Sequence, residues 1–193
     1  RVVRRTYGFD EIAIVPGEVT INPEQANTGF SIDDLSISTP LLASAMDAVV
    51  SPESAVRIDQ LGGLGVMNLE GIQTRYYDPE NALDEITGAP SAKPSLVIET
   101  LQSIYGAPIK EDLVGVRIEE TKSTGGKCAV SVTPANTKKL APLAVEAGAD
   151  VLVVQSTVTT ARHISKSSRG LVFSELLEAI DIPVIVGNCV GYS

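Results

Sequence analysis

The chain has 193 residues, and its 24 acidic residues outnumber the 15 Lys and Arg residues, which gives a formal net charge of −9. Binding to a nucleic-acid backbone requires a basic surface, so this composition argues against nucleic acid as the main partner. The apolar runs are far shorter than the ~20 residues of a membrane span, and the N-terminus has no long apolar signal-peptide core. We therefore expect a cytoplasmic protein with neither a membrane nor a nucleic-acid partner.

Both cysteines, Cys128 and Cys189, lie in apolar runs beside small residues. This is the usual environment of a buried, reduced cysteine rather than of a disulfide framework. A reducing compartment is therefore expected. The sequence shows no cluster of metal ligands and no Gly-rich phosphate loop of the P-loop kind.

Residues 1–38 are predicted to form an N-terminal arm followed by a short hairpin or lid. The basic run at residues 1–5 is interpreted either as a solvated arm or as a subunit contact. A β-prone stretch then ends at the Pro-Gly turn of residues 16–17, and residues 18–38 alternate polar and apolar side chains between turn residues.

Residues 39–53 carry the pattern on which the rest of the chain is built. An apolar run leads into small residues and an acid, and Ser51, Pro52 and Glu53 then supply an N-cap, a first-turn proline and a first-turn acid. This pattern predicts a strand, a loop and the start of a helix, which is one β/α unit.

The same alternation recurs downstream. Apolar runs predict buried strands, and apolar residues at helical spacing, ended by glycines, predict helices. The further strands are predicted over residues 64–69, 128–132, 151–154 and 184–187, and the helices over 55–61, 96–105, 111–122, 140–147 and 172–180.

Strands that are apolar on both faces and alternate with amphipathic helices predict an α/β fold with a parallel sheet. We predict a (β/α)8 TIM barrel of which about the first five β/α units are present, within one partial catalytic domain over residues 1–193. An open barrel piece would expose two sheet edges, so a C-terminal partner is expected to be missing. A doubly wound sheet of five strands is the alternative.

Six stretches of the sequence form an ordered set of motifs: residues 6–17 (TYGFDEIAIVPG), 43–49 (ASAMDAV), 61–66 (LGGLGV), 68–76 (NLEGIQTRY), 154–158 (VQSTV) and 186–188 (VGN). This set resembles the IMP dehydrogenase and GMP reductase family, and residues 68–76 and 154–158 especially resemble its bacterial IMP dehydrogenase-related branch. The resemblance covers nearly the whole chain but only about the first half of a family catalytic domain. Residues 69–127 also leave no room for the pair of regulatory CBS modules that many IMP dehydrogenases carry.

The resemblance implies substrate-binding roles for Ser44 and Met46, at the end of the first barrel strand, and for Asn188, near the reacting base. Ordinary packing in the barrel interior is the alternative for Met46. The place of Asn188 just after a buried strand also favours a functional role.

Cofactor binding is expected at Gln155, Ser156 and Thr157. At this point family dehydrogenases carry an acidic residue followed by two serines that meet the nicotinamide ribose. Here hydrogen bonding is retained but the carboxylate is replaced by an amide, so the choice between NAD and NADP(H) stays open.

The family nucleophile, a cysteine on the loop after the sixth strand, is not among these residues, which leaves Glu70 and Asn188 as catalytic candidates. Glu70 is interpreted either as an acid/base group or as a solvated loop charge. Asp47 either anchors a loop and caps the next helix or binds a ligand. Asn68 stands where family members often have histidine.

Two further residues are weaker candidates for catalysis. His163 lies in a polar segment, where a mobile loop residue is favoured over a general base. Cys189 follows the fifth barrel strand, whereas the family nucleophile lies on a later loop, so we favour a buried thiol.

Three functions follow from the resemblance. The first is oxidation of IMP to XMP with NAD, in guanine nucleotide biosynthesis. The second is reduction of GMP to IMP and ammonia with NADPH, and the third is a non-catalytic nucleotide-binding subunit. A purine mononucleotide is the expected substrate, and family assembly implies a homo-oligomer, a tetramer or octamer.

Overall fold

The computed structural model describes residue 5, residues 7–157, residue 159 and residues 170–188. Its central feature is a parallel sheet of five strands whose spatial order is their chain order, preceded by an antiparallel hairpin. The hairpin strands are Phe30–Ile32 (β1) and Leu35–Ile37 (β2). The parallel strands are Leu42–Ala43 (β3), Leu64–Asn68 (β4), Ala129–Val132 (β5), Val151–Gln155 (β6) and Val184–Gly187 (β7).

The strand order distinguishes the two sheet types that the sequence allows. Right-handed crossovers between neighbouring strands in unbroken order place the connecting helices on one face, as in a barrel wall. A doubly wound sheet would instead reverse its order at a switch point. The chain therefore forms a curled parallel half-barrel, and the doubly wound alternative is excluded. Residues after Asn188 lie outside the described part, so the fifth β/α unit stays a prediction.

Six α-helices accompany the sheet in the described part of the chain. None of these helices is both long enough and apolar enough to cross a membrane. Three short 3-10 helices lie at Phe9–Glu11, Pro23–Gln25 and Ile72–Thr74. The α-helices are Pro52–Gln60 (α1), Pro79–Gly88 (α2), Pro94–Gly106 (α3), Glu111–Lys122 (α4), Thr137–Glu146 (α5) and Phe173–Ala179 (α6).

Helix α1 begins as its sequence predicts. Ser51 Oγ accepts a hydrogen bond from Ser54 N at 3.2 Å, and Pro52 occupies the first turn, where its missing N–H costs no hydrogen bond. Helix α2 has the same start, with Asp78 Oδ1 accepting from Asn81 N and Pro79 in the first turn. The sequence analysis predicted no helix between residues 61 and 96, so α2 was missed although its N-terminal signal was present.

Two apolar layers cover the two faces of the sheet. On the outer face, Met67, Val130 and Leu152 pack with buried residues of α1, α4, α5 and α6. On the inner face, Leu64 and Val151 pack with side chains of the β1–β2 hairpin. The chain leaves the hairpin beside the start of β4, where Thr39 N donates to Gly62 O at 2.9 Å. The hairpin therefore adjoins the N-terminal end of β4, and a role as a lid stays a prediction.

A buried arginine of α4 hydrogen-bonds to the backbone of the segment from residue 69 to residue 77. Arg117 is 7% exposed, and its guanidinium donates to the carbonyl oxygens of Gln73, Tyr76 and Tyr77 at 2.9–3.1 Å. Glu120 binds the remaining nitrogen at 2.8 Å. The backbone after β4 is thus fixed by a planar fork of donors, which a lysine could not reproduce.

Gly65 is expected to be irreplaceable because α1 crosses β4 there. A Cβ at Gly65 would lie 2.8 Å from Ala55 Cα, so G65A should lower the free energy of unfolding by about 1–3 kcal/mol. G115A in α4 is the matched control: its Cβ meets nothing within 4 Å, and helix propensity predicts a gain of about 0.5–1 kcal/mol. Urea denaturation measures both, and equal effects of the two changes would contradict the close approach.

Cys128 is expected to be inert in the folded protein. Burial raises the pKa of its thiol from 9.0 to about 12, and the Asp150 carboxylate contributes in the same direction. The thiolate, which is the reactive form, is therefore scarce near neutral pH. A disulfide reagent at pH 8, followed by mass spectrometry of the peptide that contains Cys128, should find no label at this residue until guanidinium chloride unfolds the protein. Rapid labelling of Cys128 in the folded protein would contradict this expectation.

Candidate functional site

The parallel strands deliver a set of polar residues to one edge of the sheet. Ser44, Met46 and Asp47 follow β3, Glu70 follows β4, and Asn188 follows β7. The C-terminal ends of parallel strands lie together, and the loops there carry the active sites of barrel enzymes. The candidate site is therefore this edge.

The loop after β3 is a tight turn that presents Met46 outward. Ser44 O accepts from Met46 N at 2.8 Å, and Met46 O accepts from Val49 N and Val50 N at 2.9 Å. Met46 is 56% exposed in the half-barrel that this chain forms, and both of its expected roles stay predictions. Ser44 is exposed as well.

Asp47 links this loop to two other elements. Its Oδ1 accepts from Ile72 N at 3.0 Å, and its Oδ2 accepts from the Tyr105 hydroxyl of α3 at 2.7 Å. A side chain at Gly71 would collide with the Asp47 carboxylate, which explains the glycine there. Asp47 thus anchors loops to each other, while Ser51 caps the following helix.

Glu70, in the loop after β4, also anchors one loop to another. Its Oε1 accepts from Thr133 N, and its Oε2 accepts from Asn136 Nδ2 at 2.6 Å. Both carboxylate oxygens are thus committed to the loop after β5. These contacts favour a positioning role for Glu70, and its role as an acid/base group stays a prediction.

The loops after β6 and β7 are joined directly by their backbones. Ser156 N donates to Gly187 O at 2.9 Å, and Asn188 N donates to Ser156 O at 3.0 Å. Thr159 adds a bond from its N to Asn188 O at 2.8 Å and one from its Oγ1 to Gly187 O at 2.6 Å. A residue expected to bind the cofactor, Ser156, therefore lies beside one expected to bind the substrate, Asn188.

Ser156 and Thr157 retain the capacity to bind a ribose. Neither hydroxyl forms a hydrogen bond to a described residue, and a hydroxyl can both donate to and accept from a diol. Gln155 is exposed at the end of β6 and offers an amide where a carboxylate is the family pattern. The residues present therefore fit a nicotinamide ribose through neutral hydrogen bonds.

His163 and Cys189 lie outside the described residues. Within the described ranges no group of three His, Cys, Asp or Glu side chains could hold a metal ion. A groove of about 510 Å³ on the outer face runs between α1 and α4, but its arginines Arg57 and Arg117 are paired with Glu53 and Glu120. Its lining comes from α1, α2, α4 and the loops beside them and includes none of the expected binding residues, so it is not the candidate site.

Comparison with known proteins decides the family. The family model for the IMP dehydrogenase / GMP reductase domain matches residues 6–193. The chain belongs to the IMP dehydrogenase/GMP reductase family. A crystal structure of an IMP dehydrogenase/GMP reductase-like protein from Corynebacterium glutamicum superposes with a TM-score of 0.87 at 33% identity, over 96% of this chain and 49% of that one.

The relatives that this chain matches are longer than the chain. An uncharacterized oxidoreductase of Mycobacterium tuberculosis is 36% identical over 100% of this chain and 52% of its own length. The inosine-5'-monophosphate dehydrogenase of Methanocaldococcus jannaschii is 27% identical over 58% of this chain and 26% of its own length. The chain therefore spans about half the length of the relatives that it matches in full.

Tyr105 contacts Asp47 at the candidate site. The sequence did not predict this contact, because 58 residues separate the two residues. Burial and the Asp47 carboxylate raise the pKa of Tyr105 from 10.0 to about 12. The hydrogen bond from Tyr105 to Asp47 needs the neutral phenol. Its contribution to the stability of the fold is therefore complete below pH 10 and is lost as the pH rises through about 12.

Removing the Asp47 contacts should loosen the loops without unfolding the sheet. D47A should accelerate hydrogen exchange of the Ile72 amide about tenfold, and Y105F should lower the free energy of unfolding by about 1 kcal/mol. The matched control is Y7F, since Tyr7 is 60% exposed and should contribute nothing through its hydroxyl. Unchanged exchange at Ile72 in D47A would show that Asp47 does not hold this loop.

Proposed function

We propose that the full-length protein is a purine-nucleotide oxidoreductase that oxidises IMP to XMP with NAD. The observation that carries this proposal is the hydrogen-bonded junction of the β6 and β7 loops, which places Ser156 beside Asn188. Hydride transfer requires the purine and the nicotinamide to lie in contact. A cofactor-binding residue adjacent to a substrate-binding residue provides that arrangement.

The reaction balances with water as the third reactant. IMP, NAD⁺ and water give XMP, NADH and a proton: the hydride leaves C2 of the purine, and oxygen from water takes its place. NAD supplies the two-electron acceptor when bound. The cysteine on which the family relies for addition to C2 would come from the half of the protein beyond this chain.

The roles of this chain's residues are to bind and orient. Ser156 and Thr157 would hold the ribose of the cofactor through their free hydroxyls, and Asn188 would hydrogen-bond to the purine at the neighbouring strand end. Ser44 would contact the nucleotide from the β3 loop. Because Asp47 and Glu70 are engaged with backbone and side-chain donors, they would act by holding these loops.

Reduction of GMP with NADPH is the second candidate, and Gln155 favours it. An amide at this position cannot accept two hydrogen bonds from a ribose diol as strongly as a carboxylate does, so the usual reason for preferring NAD is absent. GMP, NADPH and a proton would then give IMP, ammonia and NADP⁺ at the same strand edge.

The assay that separates these functions uses the full-length protein with each nucleotide and cofactor pair, followed by the absorbance of the reduced nicotinamide. Formation of NADH with IMP is the expected result. Consumption of NADPH only with GMP would replace the first function with the second. Nucleotide binding without either reaction would leave a non-catalytic binding subunit.

Two variants test the site residues in that assay. N188A should lower kcat about 10- to 100-fold with little change in Tm, because the amide acts on the reacting base. S44A should raise the KM for the nucleotide about five- to tenfold through loss of one hydrogen bond. The exposed Asn81 of α2 provides the control variant N81A. Kinetic constants equal to those of the wild type in either test variant would remove that residue from the site.

A further inference from the structure

The connection from β4 to the next strand contains two helices more than a β/α unit needs. Helix α4 packs against α1 and α5, the helices of the neighbouring units, so α4 is the wall helix of its own unit. Helices α2 and α3 are therefore an addition to that unit. We call residues 79–106 the helical insert.

The last turn of α3 is fixed against the loop after β4. Ile104 is 2% exposed and packs with Ile72 of that loop. The Tyr76 hydroxyl donates to Ile104 O at 3.0 Å, and Arg75 Nη1 donates to Ala107 O just beyond the helix. Buried packing and two hydrogen bonds thus determine where this end of the helical insert lies.

This fixed turn presents the Tyr105 hydroxyl to the loop after β3. Tyr105 is 39% exposed, so its side chain adds less to the core than the buried Ile104 beside it. Its hydroxyl donates to Asp47 Oδ2 at 2.7 Å, while Asp47 Oδ1 accepts from Ile72 N at 3.0 Å. The Asp47 carboxylate is therefore held between the helical insert and the loop after β4.

Asp47 belongs to the turn that carries two residues expected to bind the substrate. Met46 N donates to Ser44 O at 2.8 Å, Val50 N donates to Met46 O at 2.9 Å, and Asp47 directly follows Met46. Residues that bind a ligand keep their geometry only when the groups behind them are fixed as well. A change at Tyr105 should therefore reach Ser44 through Asp47, although Tyr105 itself touches no ligand.

We propose that Tyr105 is a positioning residue for the purine nucleotide: through Asp47 it holds the β3 loop in the conformation that binds the nucleotide. This inference rests on the proposed function, which places the nucleotide at Ser44. The last turn of the helical insert then contributes to substrate affinity as well as to packing. The role concerns the nucleotide and not the cofactor, because β4 and β5 separate β3 from β6, which Ser156 follows.

A second hydrogen bond of the same kind provides a matched control. The Tyr77 hydroxyl donates to Asp112 Oδ2 at 2.8 Å, and Asp112 lies in the first turn of α4 rather than in a loop that carries expected binding residues. Y105F and Y77F each remove one hydroxyl and keep the ring. A difference between the two variants therefore reports where the bond lies and not merely that a bond is lost.

The experiment measures the steady-state kinetics of the full-length protein with IMP and NAD, or with GMP and NADPH if the wild type uses that pair. Y105F should raise the KM for the nucleotide about three- to tenfold, as expected for the loss of one hydrogen bond. Its kcat and its KM for the cofactor should change less than about twofold, because uniform nucleotide binding is what is lost. Y77F should leave all three constants at their wild-type values.

A double-mutant cycle tests whether Tyr105 acts through Asp47. D47A should also raise the KM for the nucleotide. In the D47A background Y105F should change this KM by less than about twofold further, because the acceptor of the hydroxyl is already gone. Independent, multiplying effects of the two changes would show that Tyr105 acts by another route and would overturn the proposal.

The outcomes separate this role from the proposed function. A wild-type KM for the nucleotide in Y105F would overturn the positioning role and leave the proposed function intact. Equal increases in Y105F and Y77F, or equal increases in the KM for nucleotide and cofactor, would show a general loosening of the fold and would also overturn it. A wild-type protein that turns over neither nucleotide would overturn the proposed function, and the positioning role would fail with it.

Discussion

The candidate site depends on hydrogen bonds that join each strand-end loop to another. Asp47 bonds the β3 loop to the backbone at Ile72, Glu70 bonds the β4 loop to the β5 loop, and backbone bonds join Ser156 to Asn188. A strand ladder aligns the strands but leaves their loops unfixed. Carboxylates that accept backbone N–H groups supply the strongest bonds available for this purpose. The loops that carry the expected binding residues are thereby fixed relative to their neighbours.

This use of the carboxylates determines what remains for a ligand. Asp47 and Glu70 are occupied, so the side chains at this edge that form no hydrogen bond to a described residue are neutral ones, such as Ser44, Ser156 and Thr157. Neutral donors suit uncharged ring and sugar groups, whereas a nucleotide phosphate needs charge or clustered N–H groups. These neutral side chains agree with the proposed roles of Ser156 and Thr157 at a ribose and of Asn188 at a base.

The opposite end of the sheet is built for stability. Asp150 accepts from Cys128 N and Lys122 Nζ at 2.7 Å, and Asp59 accepts from Lys127 Nζ at 2.6 Å. The β1–β2 hairpin covers the apolar interior there. Barrel folds commonly separate these tasks, with stability at the N-terminal ends of the strands and chemistry at the C-terminal ends. Helix α3 lies with the C-terminal ends, because its Tyr105 donates to Asp47 and its Ile104 packs with Ile72.

The sequence by itself determined the elements and the family. Apolar runs located the five parallel strands, the Ser51-Pro52 cap located α1, and the ordered motifs indicated the family that the domain match shows. Helix α2 was missed because its apolar periodicity is weak, although its cap at Asp78 was readable. Only the tertiary structure decided that Met46 is exposed, that Tyr105 meets Asp47 across 58 residues, and that Ser156 lies beside Asn188. Caps and periodicity act between near neighbours in the chain, whereas these contacts depend on strand register and helix packing, which no local pattern encodes.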